Sequence, residues 1–215
     1  MNVDAILTSL NAEGVEFILI GGMNFLLRHV PELTFDVDIW IKDNEQNLQH
    51  LNKSLQQLGA EWGRTEKEWR PVSEDWHWLQ AQPVFCLTTR HGALDVFRSV
   101  LGLENQYDQC RRRAFDARTA SGVSFASLSD EDMLVCRESL PFERQKLRRD
   151  SQCKKGEMKT VNEIKAEEER KRELAYDPVA RWLHIQQTIT WAEANLPPEK
   201  RRNRPRQPFT CQPLA

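Results

Sequence analysis

Residues 34–41, with the sequence TFDVDIWI, decide the fold of this chain. Branched and aromatic side chains dominate the segment, which is typical of a β-strand. Because side chains two apart on a strand share a face, Asp36 and Asp38 point to the same side. Val37 and Ile39 then point into a core on the other side. Aspartate is depleted in strands, so two carboxylates in an apolar strand indicate a special role.

The segment before this strand predicts another strand that ends in a glycine turn. Residues 15–20 (VEFILI) are apolar and rich in branched side chains, and Gly21 and Gly22 follow at once. Residues 23–29 fit a short helix. Because glycine has no Cβ, backbone N–H groups at Gly21 and Gly22 can approach an anion closely, and the following helix offers its positive N-terminus.

Two strands are predicted further along the chain, at residues 84–88 and 94–98, across a turn at 89–92. In the second of them Asp95 is a lone acid that alternates with apolar residues. Its neighbours are expected to be buried. The chain therefore carries three acids within apolar strands, close to a glycine turn.

The remaining pattern predicts an α/β (α+β) fold, with a small mixed β-sheet flanked by helices. Apolar spacing and capping signals predict a short strand at 123–126 and helices at residues 3–12, 43–58, 105–113, 129–138, 161–174 and 179–195. Residues 61–82 hold four of the seven tryptophans and predict a loop or an irregular hairpin. These tryptophans cover the sheet or, alternatively, stack a base.

Taken singly, each acid has a simpler interpretation. Asp36 and Asp38 fit a solvated strand face, and Asp95 fits a charge that discourages edge pairing. Taken together, three carboxylates on one sheet face repel one another unless a divalent cation neutralises them. Oxygen-only ligands suit Mg²⁺ or Mn²⁺, and the chemistry that such a site serves is phosphoryl or nucleotidyl transfer.

These residues carry a family resemblance. Gly21-Gly22, residues 31–39 (PELTFDVDI) and residues 94–97 (LDVF) resemble the minimal nucleotidyltransferases of the DNA polymerase β-like superfamily. The likeness is greatest to the group that includes abortive-infection and type IV toxin nucleotidyltransferases. Residues 126–150 are similar to the helical element that closes that domain, so the resemblance covers residues 1–150.

The resemblance implies roles for the acids and the glycines. Asp36 and Asp38 would bind the metal ions that carry the triphosphate, and Asp95 would complete the second metal site and help deprotonate the acceptor. Gly21 and Gly22 would cradle the phosphates. The implied activity is transfer of a nucleotide from a nucleoside triphosphate to a hydroxyl of an RNA end, a protein or a small molecule. A toxin–antitoxin or phage-defence role follows from the likeness alone.

Several other residues are candidates for supporting roles. Thr34 orients the Asp36 backbone and contributes to nucleotide binding, or is an ordinary strand threonine. Arg28, Arg90 and Arg98 contact phosphates or, alternatively, form surface salt bridges. The competing hypothesis for the whole chain is a non-catalytic binding module that keeps the nucleotidyltransferase fold.

The end of the chain differs in charge from its body. Residues 1–150 hold 17 Lys and Arg against 23 Asp and Glu, whereas residues 151–215 hold 13 against 9. The sequence predicts a helical extension over residues 151–196. Its segment at 161–174 is dense in charge and has too few apolar residues to bury deeply. Residues 151–196 form an accessory or cognate-partner segment that folds back on the acidic domain, or an extension without separate function. Residues 197–215 predict a basic, proline-rich, disordered tail, in which the cluster at 200–206 binds RNA or is merely solvated.

Composition excludes several classes of protein. The chain lacks an apolar run of membrane-spanning length and a secretory signal at its start, so a cytoplasmic protein without a membrane partner is expected. Its five cysteines are odd in number and widely spaced, which predicts ordinary thiols and neither a disulfide framework nor a zinc site.

Overall fold

The computed structural model describes residues 1–28, 34–139 and 160–195, with the backbone alone for residues 25–28. The predicted basic tail at 197–215 and the part of the resemblance that spans residues 140–150 lie outside the described residues. No helix of the described segments is both long and apolar enough to cross a membrane. Three cysteines fall within them, and all three are free thiols, as the sequence predicts: Cys86, Cys110 and Cys136.

The predicted mixed α/β fold is confirmed. The helices of the described residues are α1 (Val3–Ala12), α2 (Gly21–Arg28), α3 (Glu45–Gln57), α4 (Tyr107–Arg113), α5 (Asp130–Glu138), α6 (Val161–Ala175) and α7 (Pro178–Asn195). The strands are β1 (Phe17–Ile20), β2 (Asp36–Ile41), β3 (Glu61–Trp62), β4 (Arg70–Pro71), β5 (Val84–Thr89), β6 (Gly92–Phe97), β7 (Phe115–Arg118) and β8 (Ser124–Ser127).

All strands of the described residues join one eight-stranded sheet in the order β4-β3-β5-β6-β2-β1-β8-β7, which is larger than the small sheet expected from the sequence. At its centre β2 pairs antiparallel with β1 and parallel with β6. β5 and β6 form the predicted hairpin. Because β6 is a central strand, the interpretation of Asp95 as an edge charge is wrong.

Of two further segments of the sheet, the sequence predicted one and missed the other. Residues 61–82 form the predicted irregular hairpin, since β3 and β4 pair over only two residues each and short 3₁₀ turns fill the rest. Strand β7 was not predicted. It is an edge strand with mostly exposed side chains, so it lacks the apolar alternation that marks a half-buried strand.

One face of the sheet packs against α1 and α3. The alternation in β2 places Val37 and Ile39 in this core, where they meet apolar residues of both helices, including Ile6 and Leu51. The side chain of Asn2 caps α1, and that of Asn44 caps α3. Tryptophans of the hairpin region also pack against this core, which supports their structural role: Trp62, Trp76 and Trp78.

The opposite face carries a second core that α4 and α6 cover. Trp40 of β2, Phe97 of β6 and Ile18 of β1 belong to it, and Trp40 meets the ring of Tyr107 edge-on. Asp36, at the start of β2, lies on this same face because it is an even number of residues from Trp40. The side of the sheet that bears the acids is therefore the side that α6 covers.

Helix α6 does not behave as the sequence predicts. Its charge density indicated a helix that stays near the surface, yet Glu168, Lys171 and Arg172 are buried. That expectation was wrong because these charges are paired with partners, and burial of a charge is tolerated when it is paired.

Candidate metal centre

Strands β2 and β6 bring three carboxylates together. Their parallel pairing aligns Asp38 with Asp95, and Asp36 precedes Asp38 by two residues on the same face. One oxygen from each of these three residues lies within 4.8 Å of the other two. The predicted convergence of Asp36, Asp38 and Asp95 is confirmed, and these residues are called the acid triad below.

The acid triad is enclosed. Asp95 is fully buried, Asp38 is 3% exposed, and Asp36 is partly exposed. Asp95 Oδ2 is buried and accepts no hydrogen bond from the residues that the structure describes. A buried carboxylate oxygen without a hydrogen bond, close to oxygens of two other carboxylates, fits a site for a cation with oxygen ligands.

The glycine turn lies directly against the triad. Gly21 begins α2 with a φ of +67°, and a Cβ on it would collide with the carboxylate of Asp38. A Cβ on Gly22 would come within 2.8 Å of Thr34 Oγ1. Both positions therefore require glycine for close approach, and Gly21 also requires it for its backbone conformation. The start of α2 is thus held beside the acids, as the sequence predicts.

Thr34 supports Asp36 through its hydroxyl. Thr34 Oγ1 lies 3.1 Å from Asp36 Oδ1 and 3.4 Å from the Asp36 carbonyl oxygen, and it donates toward them. The threonine is buried, so this hydroxyl fixes the position of the carboxylate more than it interacts with solvent.

The structure describes the side chains of two of the three candidate arginines. The side chain of Arg28 lies outside the described residues. Arg98 binds Asp43 through two hydrogen bonds of 2.9 Å, and its guanidinium also donates to the carbonyl of Leu79. Arg98 therefore forms the salt bridge that was the alternative to a phosphate contact. Arg90 lies in the turn between β5 and β6, and its side chain lies against Gly59.

Two cations that the sequence analysis missed complete the site. Lys165 Nζ of α6 lies 2.5 Å from Asp38 Oδ1 and 3.4 Å from Asp95 Oδ2. Arg172, two helical turns later, pairs with Asp95 and places a guanidinium nitrogen 3.3 Å from Asp36 Oδ2. Their spacing of seven residues puts both cations on one face of α6, a sequence signal that groups them but does not show what that face contacts.

A second contact fastens α6 beside the site. The indole Nε1 of Trp62 donates to Glu168 Oε2 at 2.6 Å, and Lys171 pairs with Glu168. Lys171 Nζ also lies 4.7 Å from the centre of the Trp62 ring, a cation–π distance. Trp62, Glu168 and Lys171 are called the latch below.

Burial and charge act against each other on the acids. Burial raises the pKa of Asp38 to about 7, although Lys165 acts to lower it. Burial also raises the pKa of Asp95, against the attraction of Arg172 and Lys165. Burial acts to raise the pKa of Asp36 as well. Lys165, Arg172 and the hydrogen bond from Thr34 outweigh burial there, so the pKa of Asp36 is lowered.

The cations respond in the opposite sense. Burial acts to lower the pKa of Lys165, but the carboxylates around it outweigh burial and raise the pKa well above its usual value. The pKa of Arg172 is raised for the same reason. Both side chains therefore stay charged at neutral pH and neutralise much of the triad.

A scan against protein-family models found no match to this chain, and a search of curated proteins found none either. The likeness to nucleotidyltransferases therefore stays a prediction that rests on the residues quoted above. What the geometry defines is the coarser class: a mixed α/β protein with three carboxylates arranged so that they could hold a metal ion.

Proposed function

We propose that this protein is a metal-dependent nucleotidyltransferase, which moves a nucleotide from a nucleoside triphosphate to an acceptor hydroxyl. The observation that carries the proposal is the convergence of the acid triad beside the glycine turn at the start of α2. Carboxylates that gather cations, next to backbone N–H groups that favour anions, suit a substrate made of metal ions and phosphates.

The donor set favours Mg²⁺ or Mn²⁺, because all its ligand atoms are carboxylate oxygens. Such an ion, when bound, neutralises the triphosphate and stabilises the charge that develops during phosphoryl transfer. Asp36 and Asp38 would hold it, and Thr34 keeps Asp36 in place.

In the proposed reaction the acceptor oxygen attacks the α-phosphorus. A bond forms between them, and the bond from the α-phosphorus to the pyrophosphate breaks. Asp95 would take the proton of the acceptor hydroxyl, which is the role that the resemblance implies for it. The backbone at Gly21 and Gly22 would bind the phosphates, and Arg28 is a candidate for a further phosphate contact.

The acceptor remains one of three chemical types: an RNA end, a protein side chain or a small molecule. A role as a toxin–antitoxin or phage-defence component, with a cognate partner protein, belongs to this proposal because it follows from the resemblance.

The proposal is tested by nucleotide labelling. The full chain is incubated with total RNA, protein or small hydroxyl compounds, Mg²⁺ or Mn²⁺, and a triphosphate labelled at its α-phosphate. We expect metal-dependent labelling by the wild type, and its loss in Asp36→Asn and Asp38→Asn. Asp116→Asn is the matched control, because Asp116 is an exposed acid on edge strand β7. Equal labelling by all four proteins would contradict the proposal, and label that comes only from a γ-labelled triphosphate would indicate a kinase.

A non-catalytic binding module is the second candidate. Lys165 and Arg172 favour it, because they neutralise the triad without a metal ion. An absence of α-label in every acceptor, under conditions in which Mn²⁺ binding to the triad is demonstrated, would favour this candidate over the enzyme.

A further inference from the structure

Helix α6 covers the acid triad with charged side chains. The buried residues of α6 are Glu168, Lys171 and Arg172, whereas Val161 and Ile164 are only partly buried at the second core. A surface helix ordinarily docks through an apolar stripe. The contact of α6 with the sheet is therefore largely electrostatic, and it depends on the charge that lies beneath the helix.

The cations of α6 contact four of the six carboxylate oxygens of the triad. Lys165 contacts Asp38 Oδ1 and Asp95 Oδ2, while Arg172 contacts Asp95 Oδ1 and Asp36 Oδ2. Mg²⁺ in a protein requires oxygens at about 2.0–2.1 Å in near-octahedral geometry. Because both oxygens of Asp95 are contacted, an ion bound by all three carboxylates would share an Asp95 oxygen with the ammonium of Lys165 or the guanidinium of Arg172.

Local repulsion also opposes simultaneous occupancy. Besides the three acids of the triad, Glu169 pairs with Lys165 at 3.6 Å, so four carboxylates face two cations and leave two net negative charges when all six groups are ionised. One divalent ion would cancel that charge but would lie beside the ammonium of Lys165 and the guanidinium of Arg172, and a second ion would leave the site net positive. Like charges in a buried, weakly screened site repel strongly.

We propose that α6 is a built-in competitor of the metal ion: α6 docks on the acid triad when metal is absent, and divalent metal binding displaces its Lys165–Arg172 face. The inference rests on the metal-binding part of the proposed function, not on nucleotide transfer. It makes α6 an autoinhibitory element that metal, or metal with a triphosphate, must move aside.

The latch sets how firmly α6 docks. Trp62 reaches Glu168 from the hairpin region, outside the triad, and Lys171 lies over the Trp62 ring. These contacts do not involve the ligand oxygens of the triad. They add to the energy that a metal ion must overcome, so they lower the apparent metal affinity without touching the metal.

The test combines metal affinity with amide hydrogen exchange, both on the full chain. Mn²⁺ binding is measured for the wild type, for Lys165→Met/Arg172→Met, and for Arg170→Met as the matched control, since Arg170 is an exposed cation of the same helix. We expect the double variant to bind Mn²⁺ about tenfold more tightly or better, because apparent affinity falls with the fraction of molecules whose site is free. The control should match the wild type.

Hydrogen exchange supplies the second readout. In the wild type, saturating Mn²⁺ should accelerate exchange in Val161–Ala175, whereas Asp38→Asn should show no such response. Unchanged exchange in α6 with Mn²⁺ bound overturns the inference, and so does an equal or weaker Mn²⁺ affinity in the folded double variant. If neither protein binds Mn²⁺, the inference also fails. If the double variant does not fold, the wild-type exchange comparison decides alone.

These outcomes separate the inference from the enzyme proposal. Release of α6 by Mn²⁺ without nucleotide transfer would support the inference and contradict the enzyme. Nucleotide transfer with α6 still protected from exchange would support the enzyme and overturn the inference.

Discussion

Asp38 and Asp95 are direct neighbours across the parallel pairing of β2 and β6, and a single ammonium group, that of Lys165, contacts both. Their separation is set by the register of two central strands, not by a loop. A slip of one residue would turn one carboxylate to the opposite face of the sheet. Val37 and Ile39 prevent such a slip, because they anchor β2 in the core on the other side. The acids are therefore preorganised by the main core of the protein.

Substitution of Gly21 tests whether this preorganisation depends on the glycine turn. We expect Gly21→Ala to destabilise the fold and to weaken Mn²⁺ binding, because its φ of +67° is strained for alanine and its Cβ would push the Asp38 carboxylate aside. Urea denaturation and Mn²⁺ titration measure the two effects.

Gly122→Ala is the matched control for that substitution. Gly122 also has a positive φ, of +92°, but nothing lies within 4 Å of a Cβ placed on it. It should cost about 1–3 kcal/mol from backbone strain alone and leave Mn²⁺ affinity unchanged. If Gly21→Ala is no more harmful than Gly122→Ala in both measurements, the close approach to Asp38 is not important.

Much of the fold could be predicted from local sequence. The apolar spacing of α1 and α3, the alternation in β2 and the hairpin of β5 and β6 are local signals, and each gave an element within a few residues of its observed bounds. The face of each carboxylate was also predictable from the alternation within β2 and β6, whereas only the resemblance implied that these strands bring the acids to one site. Strand β7 was missed because it pairs only through its backbone with β8 and exposes most of its side chains.

The cationic half of the site was not predictable in the same way. Lys165 and Arg172 lie in a run of charges that resembles a solvated helix, and 127 residues separate Lys165 from its partner Asp38. Periodicity shows only that the two cations share a helix face. What that face contacts depends on tertiary packing, for which an isolated sequence carries no local signal.

Thr34 offers a test of how the triad is supported. We expect Thr34→Val to weaken Mn²⁺ binding by about threefold to tenfold, because a net hydrogen bond is worth about 0.5–1.5 kcal/mol and this one holds the Asp36 carboxylate. Thr34→Ser keeps the hydroxyl and should retain most of the affinity. Equal affinities for the valine and serine variants would mean that the hydroxyl does not position Asp36.

The start of α5 provides a pH-dependent contribution to stability. Burial acts to raise the pKa of Asp132, but hydrogen bonds from Arg113 and Ser129 outweigh it and lower the pKa below its usual range. An acid with a lowered pKa stabilises the fold above its unfolded pKa, and this stabilisation is lost as the pH falls through the folded pKa.

The expected result is that Asp132→Asn lowers the urea midpoint at pH 7 and that the difference from the wild type shrinks below about pH 4, near the unfolded pKa of aspartate. Glu131→Gln, at the adjacent exposed position, is the control and should show little change at either pH. A difference that stays constant down to pH 3 would show that ionisation of Asp132 is not the source of the effect.

Removal of one cation should make the fold depend on metal. Arg172 is buried and pairs with Asp95 and Asp36, so Arg172→Met removes one cationic partner from each of these carboxylates. Breaking a buried ion pair on one side costs about 3–5 kcal/mol, so we expect a clear fall in melting temperature in the presence of a chelator. Because Mg²⁺ or Mn²⁺ would replace the missing charge, either ion should raise the melting temperature of Arg172→Met more than that of the wild type.

Arg170→Met, which removes an exposed cation from α6, is the control and should follow the wild type with and without metal. A loss of stability in Arg172→Met that divalent ions do not restore would mean that the guanidinium and the metal ion do not compete for the same carboxylates.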